Sequence, residues 1–261
     1  ITKTLVKLLN PQLGEKVYDP FCGTGGMLTE TFKHIYSRMP QNKNSIEMLR
    51  HNTIYGGELT SIARIAKMNM ILIGDGHSNI KQLDSLENPV KNEYDVVITN
   101  IPFAQETDWG NLYDLPSKNG DSICLQHCLK SLNKDNKNSR AGIIVPEGFL
   151  FDSKFEKERE WIVEKFNLHT VISLPSGVFL PYTTQKASIL YIKLKETSEK
   201  KKNIWFFDVK SDGYTLDNYR KPTKGNDLDN LLDGIHFDSL EIDKIRQKKY
   251  GPRINSPITD E

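Results

Sequence analysis

Residues 94–103, with the sequence YDVVITNIPF, constrain the fold of this chain more than any other stretch. Their centre, residues 96–98, is a short apolar and β-branched run of the kind that forms a buried strand. The run ends at Asn100, and a proline-stiffened turn then leads to the aromatic ring of Phe103. A buried strand that presents an amide and a ring at its C-terminal end is suited to a flat, polar ligand. Our hypothesis is a nucleobase with an exocyclic amino group.

Predicted strands and helices alternate along the chain, which is typical of a parallel, doubly wound α/β sheet. We predict seven strands, at residues 16–19, 53–59, 80–83, 96–98, 142–145, 168–174 and 187–195. Because no helix separates the last two, we expect an antiparallel pair there. The predicted architecture is a mostly parallel seven-stranded sheet with an antiparallel last strand and helices on both faces. Two further elements are possible, a strand at residues 204–209 and a closing helix at residues 237–248.

Ligands of an open parallel sheet bind outside the C-terminal ends of the strands. Four predicted strands end in residues suited to such a site: Asp19 before a glycine-rich turn at residues 23–26, Glu58, Asp84 and Asn100. A glycine turn lets a ligand approach the backbone. An acid after the second strand can accept two ribose hydroxyl hydrogen bonds, and an acid after the third can accept from an adenine amino group.

The glycine turn differs from the two common phosphate-binding loops. A dinucleotide fingerprint would read G-x-G-x-x-G, and here Gly23 and Gly25 fit while the third position is Leu28. The sequence G-x-x-x-x-G-K-[ST] of a P-loop is not found in the chain. A ligand with a ribose and no pyrophosphate fits better, and S-adenosylmethionine is the cofactor that we expect.

Composition narrows the class of protein. With 261 residues and a formal net charge of +1, the chain has no overall field that would recruit nucleic acid. The three cysteines, Cys22, Cys124 and Cys128, are odd in number and indicate reduced thiols in a cytoplasmic protein. Their spacing and that of the histidines predict no metal site, and no apolar run is long enough to span a membrane. The chain starts at Ile1 without a methionine, so we expect a fragment of a longer protein.

Two motifs resemble those of amino-group DNA methyltransferases. Residues 19–26, DPFCGTGG, are similar to the cofactor motif DPxCG[ST]GG, and residues 100–103, NIPF, are similar to the catalytic motif NPP[YF]. The second position of the catalytic motif is Ile101 instead of proline. In the family that residue acts through its backbone carbonyl, which isoleucine also has, and Pro102 favours an extended conformation before it.

Further stretches resemble the methylation (M) subunits of type I restriction–modification systems. They are YGGEL at residues 55–59 with ARIAKMN at residues 63–69, Gln126-His127, and VPEGFLF at residues 145–151. The matches run from about residue 5 to about residue 210, so the resemblance covers most of the chain.

The resemblance implies a Rossmann-like class I S-adenosylmethionine-dependent methyltransferase that methylates the N6 amino group of adenine in DNA. The residues that match the family's cofactor site are Asp19, Phe21, Gly23, Thr24, Gly25, Glu58 and Asp84. Those that match its catalytic motif are Asn100, Ile101, Pro102 and Phe103. Phe179 resembles the aromatic residue that stacks on the flipped base, although on sequence alone a phenylalanine is more often a core residue.

Some assignments stay open at this point. Asp75 is a second choice for the acid after the third strand, but it lies in a turn that closes a helix, and Asp84 itself could belong to an ordinary surface turn. We expect Trp109 and Tyr113 to anchor the long loop after the fourth strand. No role is assigned to any histidine, and Lys200-Lys201-Lys202 is expected to be a solvated linker.

The resemblance also implies partners and a domain division. The partners are double-stranded DNA with a flipped adenine, a DNA-specificity subunit and a restriction subunit. Residues 1–200 are predicted to form the catalytic domain and residues 201–261 an extension packed on it, without the family's N-terminal helical domain. Two alternatives remain: an amino methyltransferase acting on RNA, protein or a free base, and a non-catalytic cofactor-binding scaffold.

Overall fold

The computed structural model of the protein describes residues 1–76, 79–195, 204–229 and 231. The strands in chain order are β1 Val17–Asp19, β2 Ile54–Glu58, β3 Ile80–Gln82, β4 Val96–Asn100, β5 Arg140–Pro146, β6 Phe166–Ser173, β7 Ala187–Leu194, β8 Trp205–Asp208, β9 Asp212–Tyr214 and β10 Pro222–Asn226. The helices are α1 Thr2–Leu9, α2 Gly26–Tyr36, α3 Lys43–Asn52, α4 Ala63–Leu72, α5 Gly120–Lys130 and α6 Glu156–Lys165.

The first eight strands form one mixed sheet in the order β3-β2-β1-β4-β5-β7-β6-β8. Strands β1 to β5 pair in parallel, and β7 lies antiparallel between β5 and β6. The predicted α/β fold, its helices on both faces and the antiparallel pair at the end are confirmed. The sheet has one strand more than the seven predicted, because β8, the possible strand at residues 204–209, pairs in parallel with β6.

Strand β4 crosses the middle of the sheet and is buried on both faces. Val96 and Ile98 pack into one core cluster with α1, α2 and α4, whereas Val97 packs into the other with α5 and α6. Successive side chains of a strand point to opposite faces, which is why a continuous apolar run suits a strand covered by helices on both sides. Only Asn100, the last residue of β4, is exposed.

The order of the strands reverses beside β1, which pairs with β2 on one side and β4 on the other. Because both neighbours run parallel to β1, the segments after β1 and β4 emerge at the same edge of the sheet. Strands β6 and β8 also run in this direction, so the loop after β6 and the small β9–β10 hairpin after β8 reach that edge as well. This edge is the place where an open α/β sheet binds its ligands.

Three predictions stay untested. The possible closing helix at residues 237–248 and the lysines at 200–202 lie outside the described residues. The domain division at residue 200 stays a prediction, and β8, from the C-terminal side of that division, is part of the main sheet. Among the described residues, no helix has the length and apolarity needed to cross a lipid bilayer.

Candidate active site

The glycine-rich turn between β1 and α2 has a backbone that glycine alone adopts easily. Gly23 has φ +52° and Gly25, which immediately precedes α2, has φ +82°. A Cβ atom on Gly25 would also lie 3.4 Å from both Cα and Cβ of Ala66 in α4. Glycine at this position therefore serves both the left-handed conformation and the close packing of α4 on the turn. The backbone N–H groups at the start of α2 face the ligand edge of the sheet.

Helix α4 supports the turn through a second contact. The Asn69 side chain donates a hydrogen bond of 2.9 Å from Nδ2 to the carbonyl of Thr24. Ala66 and Asn69 are three positions apart and therefore lie on one face of the helix. The block at residues 63–69 was recognised from the sequence only as a resemblance, and these two contacts give it a physical role.

Asp19 connects the turn to β4. Its side chain is 2% exposed, and Oδ1 accepts hydrogen bonds from the Thr99 hydroxyl at 2.6 Å and from the Phe21 amide at 3.1 Å. Burial raises the pKa of the Asp19 carboxyl to about 7, and the nearby Glu58 adds to this rise, while the two hydrogen bonds oppose it. The two motifs found in the sequence are thus joined through this carboxyl group.

Glu58, at the end of β2, faces the same turn. Its Oε2 accepts a hydrogen bond of 3.1 Å from the Gly23 amide, and its Oε1 accepts from the amide and the hydroxyl of Thr60 at 2.9 and 2.6 Å. The carboxylate therefore both caps the segment before α4 and borders the glycine turn. A carboxylate has about four acceptor positions, so capacity remains for ligand hydroxyl groups.

Asp84 follows β3 and holds the long loop after β4. Oδ1 accepts from the Leu86 amide at 2.9 Å, and Oδ2 accepts from the indole Nε1 of Trp109 at 3.0 Å. Trp109 is thus a loop anchor, as expected. Asp75 lies instead at the end of α4, where its amide donates to the Met70 carbonyl at 3.0 Å. Binding of a ligand amino group by Asp84 stays a prediction.

Helix α5 also holds the long loop after β4 through hydrogen bonds. The Gln126 carboxamide makes two hydrogen bonds with the Leu115 backbone, accepting from its amide at 2.8 Å and donating to its carbonyl at 2.9 Å. The Tyr113 hydroxyl donates to the Leu86 carbonyl at 3.0 Å and lies 3.0 Å from Nδ1 of His127. Residues 101–119 are therefore fixed at several points above the sheet.

His127 is neutral in this network. It is fully buried, and burial lowers its pKa to about 4. Because the Tyr113 hydroxyl proton is directed to Leu86, Nδ1 of His127 donates to Tyr113 and Nε2 accepts from Tyr18 at 3.3 Å. The sequence analysis gave this histidine no role, although the Gln126-His127 pair was one of the noted resemblances.

The tetrapeptide at residues 100–103 carries two oxygen acceptors that the fold itself leaves without a hydrogen bond in the described part of the chain. Asn100 is exposed, whereas Ile101 is 2% exposed and donates its amide to the Ile144 carbonyl at 3.3 Å. Within the described part of the chain, neither the Asn100 carboxamide nor the Ile101 carbonyl takes part in a hydrogen bond. Pro102 is exposed, and the half-buried Phe103 packs against both core clusters.

A cavity of about 340 Å³ opens beside Asn100. It is lined by Ile1, Thr2, Met27, Asn100, Ile144, Phe179, Asp212, Tyr214 and Arg220. The structure thus brings Asn100 and Phe179 together, and it adds three residues of the β9–β10 region that sequence reasoning missed. Phe103 and the acids at the ends of β1, β2 and β3 are not part of this lining. No cluster of metal-ligating side chains is present among the described residues.

Comparison with known proteins shows the fold first and then the family. A solved structure from Listeria monocytogenes, described as a class I S-adenosylmethionine-dependent methyltransferase, shares the fold at 19% identity. Its TM-score is 0.60, over 80% of this chain and 63% of that one. The model of the N-6 DNA methylase family matches residues 1–253, and the chain therefore belongs to that family. The resemblance inferred from the motifs is confirmed.

Two similar proteins are named as parts of type I restriction systems. The type I restriction enzyme EcoEI methylase subunit of Escherichia coli is 30% identical over 218 residues, covering 80% of this chain and 43% of that protein. A solved structure of a type I restriction–modification system is 28% identical with a TM-score of 0.79, over 96% of this chain and 51% of that one. The chain spans about half the length of these relatives.

The buried carboxyl of Asp19 predicts a pH-dependent stability. Its folded pKa of about 7 lies above the unfolded value of 3.8, so ionisation favours the unfolded chain and stability is lost as pH rises from about 4 to about 7. Asp19→Asn keeps an oxygen for Thr99 and Phe21 but cannot ionise. We expect urea unfolding to show a gain over the wild type that grows from pH 5 to pH 8, on the order of 1–4 kcal/mol. A difference that does not vary with pH would contradict this account.

Loss of the two hydrogen bonds between Gln126 and Leu115 should loosen the loop after β4. Gln126→Ala leaves the amide and carbonyl of Leu115 without their partner, at a cost of about 1–3 kcal/mol. We expect faster limited proteolysis within residues 104–119 and a lower urea midpoint. Gln105→Ala is the matched control, because the exposed Gln105 side chain in the same loop donates a hydrogen bond of 3.2 Å to the Phe103 carbonyl and, among the described residues, makes no hydrogen bond with Leu115. Equal proteolysis of the two variants would contradict this role of the Gln126 side chain.

Proposed function

We propose that this chain is the catalytic part of an enzyme that transfers a methyl group from S-adenosylmethionine to the N6 amino group of adenine in DNA. The observation that carries the proposal is the placement of Asn100 and Ile101. Asn100 ends β4 and Ile101 follows it, and β4 pairs in parallel with β1, whose C-terminal end leads into the glycine turn. Family membership supports the same reaction.

The residues around the glycine turn suit the cofactor. Glu58 offers carboxylate oxygens to ribose hydroxyls, and Asp84 offers one to the adenine amino group. Phe21 provides an apolar surface, and the Gly23–Gly25 backbone, with Thr24 held by Asn69, permits close approach. Asp19 contributes by fixing the turn relative to β4. The bound cofactor would supply an electrophilic methyl group on a sulfonium.

The catalytic residues have a simple task. The N6 lone pair of adenine is delocalised into the ring, which makes the amino group a poor nucleophile. If the Asn100 side-chain oxygen and the Ile101 carbonyl each accept one N–H, the nitrogen becomes more tetrahedral and its lone pair is directed to the methyl group. The cofactor would supply the methyl group and leave as its neutral thioether, and the proton displaced from N6 would pass to solvent. Pro102 fixes the geometry of the turn.

Aromatic residues would hold the base outside the duplex. N6 is not accessible within stacked DNA, so the adenine must be flipped out. We assign Phe103 and Phe179 to stacking on the flipped base. Phe179 shares the cavity with Asn100, which supports this assignment more strongly than the sequence alone did. Phe103 packs on the core and lies outside that lining, so its stacking rests on its position in the motif.

The expected partners follow from the relatives. The protein from Escherichia coli is named a methylase subunit, and the solved relative is described in terms of complex assembly. With a net charge of +1, this chain has little overall attraction for DNA. We therefore propose that a DNA-specificity subunit supplies target recognition, that a restriction subunit joins the same system, and that the complex acts in the cytoplasm.

Removal of the Asn100 amide should abolish most of the transfer. We expect Asn100→Ala, in the assembled complex, to lower the single-turnover rate by about 100-fold to 1000-fold, the usual loss for one preorganised polar group. Radiolabelled methyl transfer to unmethylated plasmid DNA is the measurement. The control is Asn138→Ala, an exposed asparagine at the opposite edge of the sheet, just before β5. A wild-type rate for Asn100→Ala would refute the mechanism.

The carboxylate of Glu58 should matter for cofactor affinity. Glu58→Gln keeps the shape and removes the charge, and loss of charge-assisted bonds to two hydroxyls is worth about 1.5–3 kcal/mol. We expect S-adenosylmethionine affinity, measured by isothermal titration calorimetry, to fall about tenfold to 100-fold. Glu87→Gln is the control, because Glu87 is an exposed glutamate after β3. Unchanged affinity in Glu58→Gln would reject the assignment.

A further inference from the structure

The segment after β8 reaches the candidate active site. The Val209 amide donates to the Ser173 carbonyl at 2.9 Å, so the chain continues along the end of β6. Strands β9 and β10 then form a two-stranded hairpin. At its base, the Asp227 side chain accepts from the amides of Lys210 and Ser211 at 2.8 and 3.0 Å. The hairpin is therefore anchored at the edge of the sheet where β4 also ends.

The hairpin also contacts the loop that carries Phe179. Gly177 has φ +84°, and a Cβ atom there would lie 3.1 Å from the Leu216 carbonyl oxygen. This close approach brings the turn after β9 against residues 175–180. As a result, Tyr214 and Arg220 line the same cavity as Asn100 and Phe179.

Arg220 packs against Tyr214 in the lining of this cavity. Its guanidinium pairs with Asp212, which is 5% exposed, and donates to the Thr215 carbonyl at 2.7 Å. The guanidinium carbon lies 5.5 Å from the centre of the Tyr214 ring. The three side chains thus form one packed unit.

The chemistry of this unit favours a neutral, flat ligand. The Arg220 charge is already paired with Asp212, so the unit offers no free cation for a phosphate group. Tyr214 is 47% exposed and presents a ring. A cavity of about 340 Å³ lies within the range of pockets that take small ligands or a single base.

We propose that the 211–227 hairpin completes the pocket for the flipped adenine and that Tyr214 contacts the base in this cavity. Arg220 is a positioning residue that acts through Tyr214. The inference rests on the proposed function, since it assigns a further wall to the same base site. It gives the region after β8 a role in substrate binding rather than in support of the sheet alone.

The test uses the full-length protein assembled with its DNA-specificity partner, unmethylated plasmid DNA and radiolabelled S-adenosylmethionine. Stacking on an aromatic side chain is worth about 1–3 kcal/mol per base. We therefore expect Tyr214→Ala to lower the single-turnover rate by about fivefold to 100-fold, with cofactor affinity and thermal midpoint unchanged. Tyr214→Phe should recover most of the loss, because the ring is kept.

Tyr219→Ala is the matched control. Tyr219 belongs to the same hairpin and is 81% exposed, with the Lys221 ammonium 5.7 Å from its ring centre, but it does not line the cavity. We expect it to transfer methyl groups at the wild-type rate. Arg220→Ala should be slower than the wild type, and adding Tyr214→Ala to it should cause little further loss, because both changes remove the same wall.

A spectroscopic readout separates base contact from folding. Once the methylated site has been mapped by sequencing, 2-aminopurine placed at the target position reports on stacking of the flipped base. We expect brighter fluorescence with Tyr214→Ala than with the wild type or Tyr219→Ala. A wild-type rate and unchanged fluorescence for Tyr214→Ala in an active complex would overturn the pocket assignment alone. A wild-type complex that methylates no DNA would overturn the proposed function together with it.

Discussion

The hydrogen bond from the Thr99 hydroxyl to the Asp19 carboxyl, at 2.6 Å, holds the two halves of the candidate site together. It joins the end of β1, which leads into the glycine turn, to the residue before Asn100 in β4. Asp19 is 2% exposed and Thr99 is 0% exposed, so the bond is shielded from water. The distance between the methyl donor and the acceptor amino group would therefore be set by adjacent strands of one sheet.

The loops at the same edge of the sheet are held by hydrogen bonds from side chains of other segments. Asp84 and Gln126 hold the long loop after β4, Asn69 holds the glycine turn, and Asp227 anchors the β9–β10 hairpin. Loops that carry ligand groups are usually the most mobile parts of an α/β protein. Here several are bound to regular elements, which places the proposed catalytic groups on a rigid frame.

Local patterns were sufficient for the parallel strands β1 to β5 and for the glycine-rich turn. The β-branched run of β4 and the strand–glycine turn–helix at residues 16–36 depend on short-range periodicity and backbone conformation, which a sequence displays directly. The hydrogen bonds of Gln126 to Leu115 and the packing of Arg220 on Tyr214 depend on how loops return to the sheet. No periodicity encodes such contacts. Asp84 shows the same limit, since the sequence placed it at the edge but could not reveal its bond to Trp109.

The central claim is that this chain directs a methyl group to N6 of adenine in DNA. The most direct measurement is mass spectrometry of nucleosides from unmethylated DNA after incubation of the assembled complex with deuteriomethyl-labelled S-adenosylmethionine. The account predicts labelled N6-methyldeoxyadenosine and no other labelled nucleoside. Label in methylcytosine, in RNA or in protein, or no label in DNA although the cofactor is bound, would contradict it.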